Sequence, residues 1–348
     1  MTTGIEREWS IRVADNTRPT HEIFVALLLL GVAVAAGSTT LALTPEESRA
    51  RLRMAERRGP MEPRLPAWAQ IPRDDDRTVL AARRLNRAAG TIASSVLIDS
   101  AMEHYRGAFE NKAMYTPIVT SALTLLASLH GQRDVASRAH WARDIVYALA
   151  GLTGLVGTGF HLYNVGKRPG GFCWQNLFYG APLGAPAAIS LAGMTGFLAE
   201  RVRDNAPGAP PDVLGLPAGR VVAALTGAGL IGTAMEAGLL HFRGAFHNPA
   251  MLLPVTAPPA AAAMLAAAAV GKAGRPRGVT RWWLRLTALL GVVGVGFHAV
   301  GVARNMGGWR NWTQNLQAGP PLPAPPSFTG LALAGLAALG VLQDSPDD

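Results

Sequence analysis

The sequence predicts an all-α, polytopic membrane protein: a bundle of about nine spans, made of one leading span and two parallel four-helix repeats. Three observations predict this class. Hydrophobic residues make up 49% of the 348-residue chain and charged residues only 16%. Several Gly- and Ala-rich apolar runs are about as long as the roughly 20 residues that a helix needs to cross a bilayer. A segment that contains a histidine and an arginine also occurs twice.

The repeated segment shows that the chain is a tandem duplication. Residues 104–117 read HYRGAFENKAMYTP, and residues 241–254 read HFRGAFHNPAMLLP. A second pair, GTGFH ending at His161 and GVGFH ending at His298, has the same displacement, since 241 minus 104 and 298 minus 161 both equal 137. The two halves have diverged elsewhere and still match at these positions.

The amino-terminal part precedes the repeats. Residues 1–44 comprise a polar tail and a first span at 22–44, which we interpret as a retained span rather than a secretory signal. Residues 45–88 contain eleven arginines and form the predicted cytoplasmic connector. A solvated, partly helical loop is the simpler interpretation of this connector, and a platform for a partner is the alternative.

The two repeats follow at 89–200 and 219–343, with a Pro- and Gly-rich linker at 201–218 and an acidic tail at 344–348. Four spans per repeat is an even number, so both repeats should run in the same direction and be related by an axis along the membrane normal. The predicted spans lie near 89–105, 115–130, 143–165, 183–199, 221–241, 251–271, 281–303 and 327–342.

The distribution of Lys and Arg predicts the orientation. Most of these residues fall in the loops that we place inside, whereas the loops after the repeated histidines hold fewer and face outward. We therefore expect a multi-pass protein of a bacterial inner membrane, in contact with the lipid bilayer. The net charge of +9 lies between apolar runs rather than on one soluble face, which argues against nucleic acid as a partner.

Sequence motifs exclude several kinds of chemistry. The only cysteine, Cys173, excludes an internal disulfide and a Cys-based zinc or iron–sulfur site. The chain has no Walker sequence, no G-x-S-x-G and no H-E-x-x-H. A self-contained enzyme of a soluble type is therefore not expected, and whether the protein is an enzyme at all stays open.

Four histidines are the main site candidates. His104 ends the first span of repeat one, and His161 lies near the end of the third, which runs in the same direction. Both therefore reach a similar depth near the outer face, as do His241 and His298. Imidazoles near hydrocarbon are costly unless paired, and histidine is a common ligand of metals and of b-type haem. The pattern predicts a metal-binding site that holds haem b or another metal ion.

Flanking residues suit a haem but also have simpler roles. Arg106 and Arg243 follow the first histidine of each repeat by two residues and could bind propionates. Glycines before the second histidine could admit the macrocycle. Alternatively, the glycines let helices approach closely, and the His and Arg side chains bind helix-end carbonyls or lipid phosphate. The glycines in question are Gly154, Gly157, Gly159, Gly291, Gly294 and Gly296.

Two acids correspond between the repeats. Asp99 and Glu236 precede His104 and His241 by five residues, which places them about 7.5 Å deeper and about 140° around the helix. Acid and imidazole of one helix therefore do not easily share a metal. The acids instead suit a proton relay or a pair with a neighbouring helix, and a non-haem site of imidazoles and a carboxylate stays open.

The outer loops share the sequence QNL at 175–177 and 314–316. Amides beside aromatic residues could bind a quinone head group or cap the histidine site, or they could satisfy the turns. The preferred function is a membrane redox subunit that transfers electrons between its haem or metal and a quinone or a periplasmic redox protein. A transporter with its site between the repeats, and a non-catalytic membrane anchor, are the alternatives.

Overall fold

The computed structural model describes residues 74–205, 211–271 and 277–343. Ten α-helices account for most of this part, so the all-α prediction is confirmed; one short hairpin, Asp212–Val213 with Leu216–Pro217, is the exception. The predicted span at 22–44 and the tail at 344–348 lie outside the described residues. The helices are α1 Asp74–Arg106, α2 Thr116–Arg133, α3 Trp141–Gly166, α4 Trp174–Tyr179, α5 Gly184–Arg203, α6 Ala218–Arg243, α7 Leu253–Val270, α8 Gly278–Arg304, α9 Trp312–Ala318 and α10 Pro326–Gln343.

The first five helices and the last five follow one another in the same order. The carboxyl ends of α1 and α6 differ by 137 residues, and so do the starts of α2 and α7 and of α3 and α8. Two 3-10 turns, Lys112–Tyr115 and Pro249–Leu252, also correspond. We call residues 74–205 the first half and residues 211–343 the second half.

The first helix begins earlier than the sequence predicts. Residues 74–88 were expected to belong to the solvated connector, yet α1 starts at Asp74. Val79, Ala82 and Leu85 lie three residues apart, and all three are buried. Arginines lie between these apolar positions, so the composition of the segment does not reveal the buried face. Packing of that face against the bundle stabilises the helix.

Four central helices join the two halves. In this arrangement α1 packs against α5 and α10, and α6 packs against α10 and α5. Helices α2 and α3 flank the centre on one side, and α7 and α8 flank it on the other. Buried residues of all four central helices form one apolar core, including Ile92 of α1, Leu230 of α6 and Leu331 of α10.

Four helical segments are long and apolar enough to cross a membrane: Trp141–Gly166, Ala218–Arg243, Pro249–Val270 and Gly278–Arg304. In the first of these, only 17% of the apolar window is buried inside the protein. Leu152, Leu155 and Phe160 are each more than half exposed. Such apolar outward faces suit contact with lipid, because water would make their exposure costly.

The other predicted spans of the repeats are helices of a different character. Helix α10 is apolar but shorter than the four membrane-capable segments. Helices α1, α2 and α5 are not among the membrane-capable segments, and they bury polar side chains inside the bundle, for example Ser95, Ser121 and Ser190. Helices α1 and α5 are surrounded by other helices, so they meet little lipid and can carry such residues. Helix α2 lies at the flank and also has an exposed apolar side with Val119, Leu123 and Leu126.

Candidate functional site

The RGAF-x-N motif ends one helix and starts the next. After α1, Ala108 and Phe109 adopt left-handed backbone angles (φ 50° and 49°), and the Phe109 N–H donates to the carbonyl of His104. The Asn111 side chain then accepts a hydrogen bond from the Ala113 N–H at 2.9 Å and caps the 3-10 turn. The same φ signs and the same cap recur at Ala245, Phe246 and Asn248.

This turn places a backbone carbonyl against the first histidine of each half. The Phe109 ring stacks on Tyr115 with centroids 4.4 Å apart and meets the His104 ring edge-on at 6.4 Å. The His104 Nδ1 atom lies 2.5 Å from the carbonyl oxygen of Met114. The repeated motif therefore has a clear structural role: it fixes the orientation of an imidazole.

The second histidine of each half binds a carbonyl from the loop before α5 or α10. His161 Nδ1 is hydrogen-bonded to the carbonyl of Pro182, and His298 Nδ1 lies 2.6 Å from the carbonyl of Pro321. The acceptors differ by 139 residues because the loop of the second half is two residues longer. All four histidines thus use the same ring nitrogen in the same way.

These hydrogen bonds define the tautomer. A carbonyl oxygen only accepts, so each Nδ1 carries the proton and each Nε2 keeps its lone pair. None of the described residues forms a hydrogen bond with Nε2 of these four histidines. Imidazoles that ligate metals commonly donate Nδ1–H to a carbonyl and bind through Nε2, so the four side chains have the form of a ligand.

The histidines are brought together in pairs. His104 and His161 lie within range of a direct electrostatic interaction, and so do His241 and His298. Within the ranges that the structure describes, no group of three or more His, Cys, Asp or Glu side chains could hold a metal ion. Each pair therefore offers two imidazoles, without a third His, Cys, Asp or Glu ligand among the described residues.

The glycines before the second histidine divide into two kinds. A side chain at Gly154 would collide with Ser190 and the Pro186 carbonyl of α5, and one at Gly291 would collide with Thr329 and the Pro325 carbonyl of α10. These two glycines serve close helix packing, as do Gly157 and Gly294, which face Pro186 and Pro325. Only Gly159 and Gly296 face open space, with nothing within 4 Å of an added Cβ atom.

The two arginines already have partners. Arg106 forms an ion pair with Glu103 one turn earlier, where both side chains are about one-third exposed. The Arg243 guanidinium lies over the Phe178 ring, 4.9 Å from its centroid. Both are held at the surface near the histidines, and a propionate would have to compete with Glu103 for Arg106.

The acids of the two halves interact electrostatically across the centre of the bundle. Asp99 of α1 lies within electrostatic range of Glu236 of α6, although their helices belong to different halves. Glu236 also accepts a hydrogen bond from the Gly184 N–H at the start of α5. A helix start is a favourable position for a carboxylate, because the first amide groups lack partners within the helix.

The amides of the outer loops are occupied by the loops themselves. Asn176 Nδ2 donates to the carbonyls of Pro169 and Gly171 at 3.0 and 2.8 Å. Asn315 Nδ2 donates to Met306 and Gly308 at 3.1 and 2.8 Å. Both amide hydrogens of each asparagine are used in these bonds, so the two asparagines satisfy turns of their own loops.

One polar cluster was missed in the sequence. It lies at the end of the first half opposite the histidines, and it is buried. The signal that could have revealed it is a difference between the halves rather than a match, because the second half has mainly apolar residues at the same positions. Its members are Asn86, Arg143, Tyr147, Glu200 and Arg203.

The fold and site together define a class: an all-helical protein with membrane-capable helices and two pairs of carbonyl-bound histidines at one end. Neither models of protein families, nor curated proteins, nor solved structures match this chain.

Proposed function

We propose that the protein is an integral membrane redox subunit of a bacterial inner membrane, with about nine spans arranged as a leading span and two parallel repeats. His104 with His161, and His241 with His298, would hold haem b or another metal near the outer face. Electrons would be exchanged there with a quinone or a periplasmic redox protein.

The common hydrogen bond of the four histidines carries this proposal. A histidine that only anchors a loop can use either ring nitrogen, yet both histidines of each half use Nδ1 and leave Nε2 without a hydrogen bond to the described residues. Each pair would offer two imidazole ligands to a b-type haem or to another metal. Iron bound in this way, or another redox metal, supplies one-electron chemistry.

The chain's own contribution is to hold and orient the ligands. Met114 and Pro182 keep the two imidazoles of the first half in the Nδ1–H tautomer, and Met251 and Pro321 do so in the second half. Glycines 159 and 296, which face open space beside the second histidines, leave room for a bulky group. Glu103 and Arg106 keep charge at the rim of the first pair.

An optical spectrum of the protein purified in detergent, oxidised and then reduced, tests the proposal together with elemental analysis. We expect the absorption bands of a low-spin haem, or stoichiometric iron or copper. His161→Ala and His298→Ala should each remove about half of the bound group. His247→Ala is the matched control, since His247 lies at the same end but bonds only to Gly244 of its own turn. A colourless, metal-free protein after expression with added haem and metals would refute the proposal.

The acids favour a second candidate, a proton-coupled transporter with its site between the halves. Asp99 and Glu236 come from different halves and interact across the central helices. Ionisable groups inside a bundle often mark ion or proton pathways, and sites of transporters with internal repeats lie at the interface of the repeats.

Proteoliposomes loaded with a pH-sensitive dye test this second candidate. Wild-type protein should transfer protons when a pH gradient is applied, whereas Asp99→Asn and Glu236→Gln should reduce the rate at least tenfold. Glu110→Gln is the control, because Glu110 is exposed in the turn beyond α1. Equal rates in all four proteins would exclude a coupling role for the acids.

A further inference from the structure

The buried polar cluster of the first half is in contact with one exposed histidine. Nη1 of Arg143, in α3, lies 3.0 Å from Nδ1 of His130, near the carboxyl end of α2. The Arg143 side chain is only 2% exposed, whereas His130 is exposed. A buried guanidinium therefore depends for one hydrogen bond on an imidazole that solvent can reach.

This contact defines the charge of the His130 ring. A guanidinium has only donors, so Nδ1 of His130 is the acceptor and the neutral ring carries its proton on Nε2. A protonated ring would have a donor at both nitrogens and would place a second positive charge against Arg143. The ring of His140 meets that of His130 edge-on, with centroids 5.5 Å apart, and an imidazole cannot compensate a positive charge. The contact therefore requires a neutral His130.

The Glu200 carboxylate, next to this contact, is already in use. Its Oε2 atom accepts hydrogen bonds from Arg143 Nη2 at 2.8 Å and from the backbone N–H of His140 at 3.0 Å. Its Oε1 atom accepts from Asn86 Nδ2 at 3.3 Å. Neither oxygen is left over for an imidazolium.

Asp134, in the loop between α2 and α3, is engaged in the same way. Its Oδ2 atom lies 2.7 Å from Arg143 Nη2, and its Oδ1 atom accepts from the Ala136 N–H at 2.9 Å. Arg203 is the second arginine of the cluster and lies 3.8 Å from the Glu200 carboxylate. Two arginines and two carboxylates balance in charge, so a further proton on the neighbouring imidazole would have no counter-charge among them.

The other charged groups around this loop have partners of their own. Asp144 pairs with Arg201 at 2.5 Å, and Asp204 accepts from a backbone N–H of the loop at 3.5 Å. Arg83 of α1 donates to a carbonyl in the last turn of α2 at 2.7 Å. The surroundings thus offer a protonated imidazole further cations and carboxylates that are already paired.

Arg143 would lose most from such a protonation. Its Nε atom is buried without a hydrogen-bond partner, and His130 is the partner of Nη1 among the described residues. A buried donor without an acceptor costs about 1–3 kcal/mol, more for a charged group. The same guanidinium joins Asp134 of the loop to Glu200 of α5, so its displacement would weaken the attachment of the loop to the bundle.

We propose that His130 is an acid-sensitive switch: its protonation breaks the contact with Arg143 and loosens the loop of residues 134–140. Histidine ordinarily changes its charge between about pH 5 and 8, and the exposed ring gives protons direct access. In the orientation that Lys and Arg predict, this end of the bundle faces the cytoplasm, so the switch would respond to cytoplasmic pH. The inference does not depend on what the histidine pairs at the opposite end bind.

The mobility of a spin label in the loop, measured by electron paramagnetic resonance on the full chain in detergent, tests the proposal. Ser137→Cys in a Cys173→Ser background places the label at an exposed position of the loop. The mobile fraction should be at least threefold larger at about pH 5.5 than at about pH 7.5. Asp134 keeps its charge at both pH values, because its hydrogen bonds hold its pKa below the ordinary value.

Three substitutions in this labelled protein assign the effect. His130→Asn offers an oxygen acceptor near the place of Nδ1 and takes up no proton, so the label should stay immobile at both pH values. His130→Arg carries a permanent charge, so the label should be mobile at both.

His140→Gln is the matched control, because it removes the neighbouring histidine and leaves the acceptor of Arg143 in place. It should retain at least half of the pH response. An unchanged response in His130→Asn, its loss in His140→Gln alone, or equal mobility at both pH values in the parent protein would overturn the proposal.

Discussion

The Nδ1 atom of His241 lies 2.8 Å from the carbonyl oxygen of Met251, and the equivalent atoms of His104 and Met114 lie 2.5 Å apart. An asparagine at position 241 would retain a donor near the place of Nδ1 but would have no counterpart of Nε2. His241→Ala should therefore lower the free energy of unfolding by about 1–2 kcal/mol, and His241→Asn by less than half of that.

Elemental analysis of the same two variants distinguishes ligation from anchoring. Both should lose the group bound by the second half, since neither offers Nε2. Retention of that group by His241→Asn would show that His241 is only an anchor of the turn.

Four of the six glycines before the second histidines give a matched prediction on packing. Gly154→Ala should destabilise the protein by about 1–3 kcal/mol, because the new methyl group would overlap Ser190 and the backbone of α5. Gly159→Ala, five residues later in the same helix, should be neutral or stabilising by up to about 1 kcal/mol. Thermal unfolding in detergent measures both. Equal effects of the two substitutions would contradict the division of roles, and Gly291 and Gly296 repeat the test in the second half.

The hydrogen bonds of the loop asparagines predict that a substitution there lowers stability and leaves quinone binding unchanged. Asn176→Asp replaces an amide that donates two hydrogen bonds by a carboxylate that donates none. The carboxylate would face the carbonyl oxygens of Pro169 and Gly171. We expect a loss of about 1–3 kcal/mol in stability. Quinone affinity, measured by fluorescence quenching, should not change as long as the variant is folded. A selective loss of quinone binding in a fully stable variant would reverse this assignment.

The loop between α2 and α3, at the end of the bundle opposite the histidines, should be sensitive to acid. Burial raises the pKa of the Asp134 carboxyl, but the Ala136 N–H and the Arg143 guanidinium outweigh burial and hold that pKa below its ordinary value. A carboxyl with a lowered folded-state pKa contributes stability above its unfolded pKa, and that contribution is lost as the pH falls through the folded value. The unfolding temperature of the wild type should therefore fall more below about pH 4 than that of Asp134→Asn. Parallel pH curves for the two proteins would disprove the contribution of this residue.

The only cysteine reports the orientation of the protein. Cys173 is partly exposed in the loop before α4, at the histidine end of the bundle. A membrane-impermeant maleimide should label it in spheroplasts before lysis. The control is Ala136→Cys in a Cys173→Ser background. Ala136 is exposed in the loop between α2 and α3, at the end of the bundle opposite the histidines, so a cysteine there should react only after lysis. Labelling in the reverse order would show that the orientation in the membrane is the opposite of the predicted one.

The sequence predicted the helices of the two halves well, because apolar runs and the internal repeat are visible without knowledge of the fold. Apolar runs and the 137-residue displacement place eight helices at or near their observed positions. The start of α1 at Asp74 was missed, because arginines interrupt the apolar positions of residues 74–88 and only tertiary packing shows which face is buried.

The site was predictable in its residue types but not in its contacts. Matching positions singled out the histidines and the acids, whereas the carbonyls of Pro182 and Pro321 lie 21 and 23 residues from the imidazoles that they bind. The roles of Gly154 and Gly159 depend on a neighbouring helix that no local pattern reveals. The buried polar cluster of the first half was missed because shared positions singled out the candidate residues, and this cluster is present in one half alone.

The packing of α1 on α10 and of α5 on α6 makes each half a partner of the other. Either half on its own would leave a broad face of its central helices uncovered. It would therefore need a second copy of itself, or the other half, to cover that face. Two genes that encode the halves separately, cut between Asn205 and Pro211, should therefore reconstitute the protein when expressed in one cell. In this sense the molecule is a heterodimer whose two subunits happen to be translated as one polypeptide.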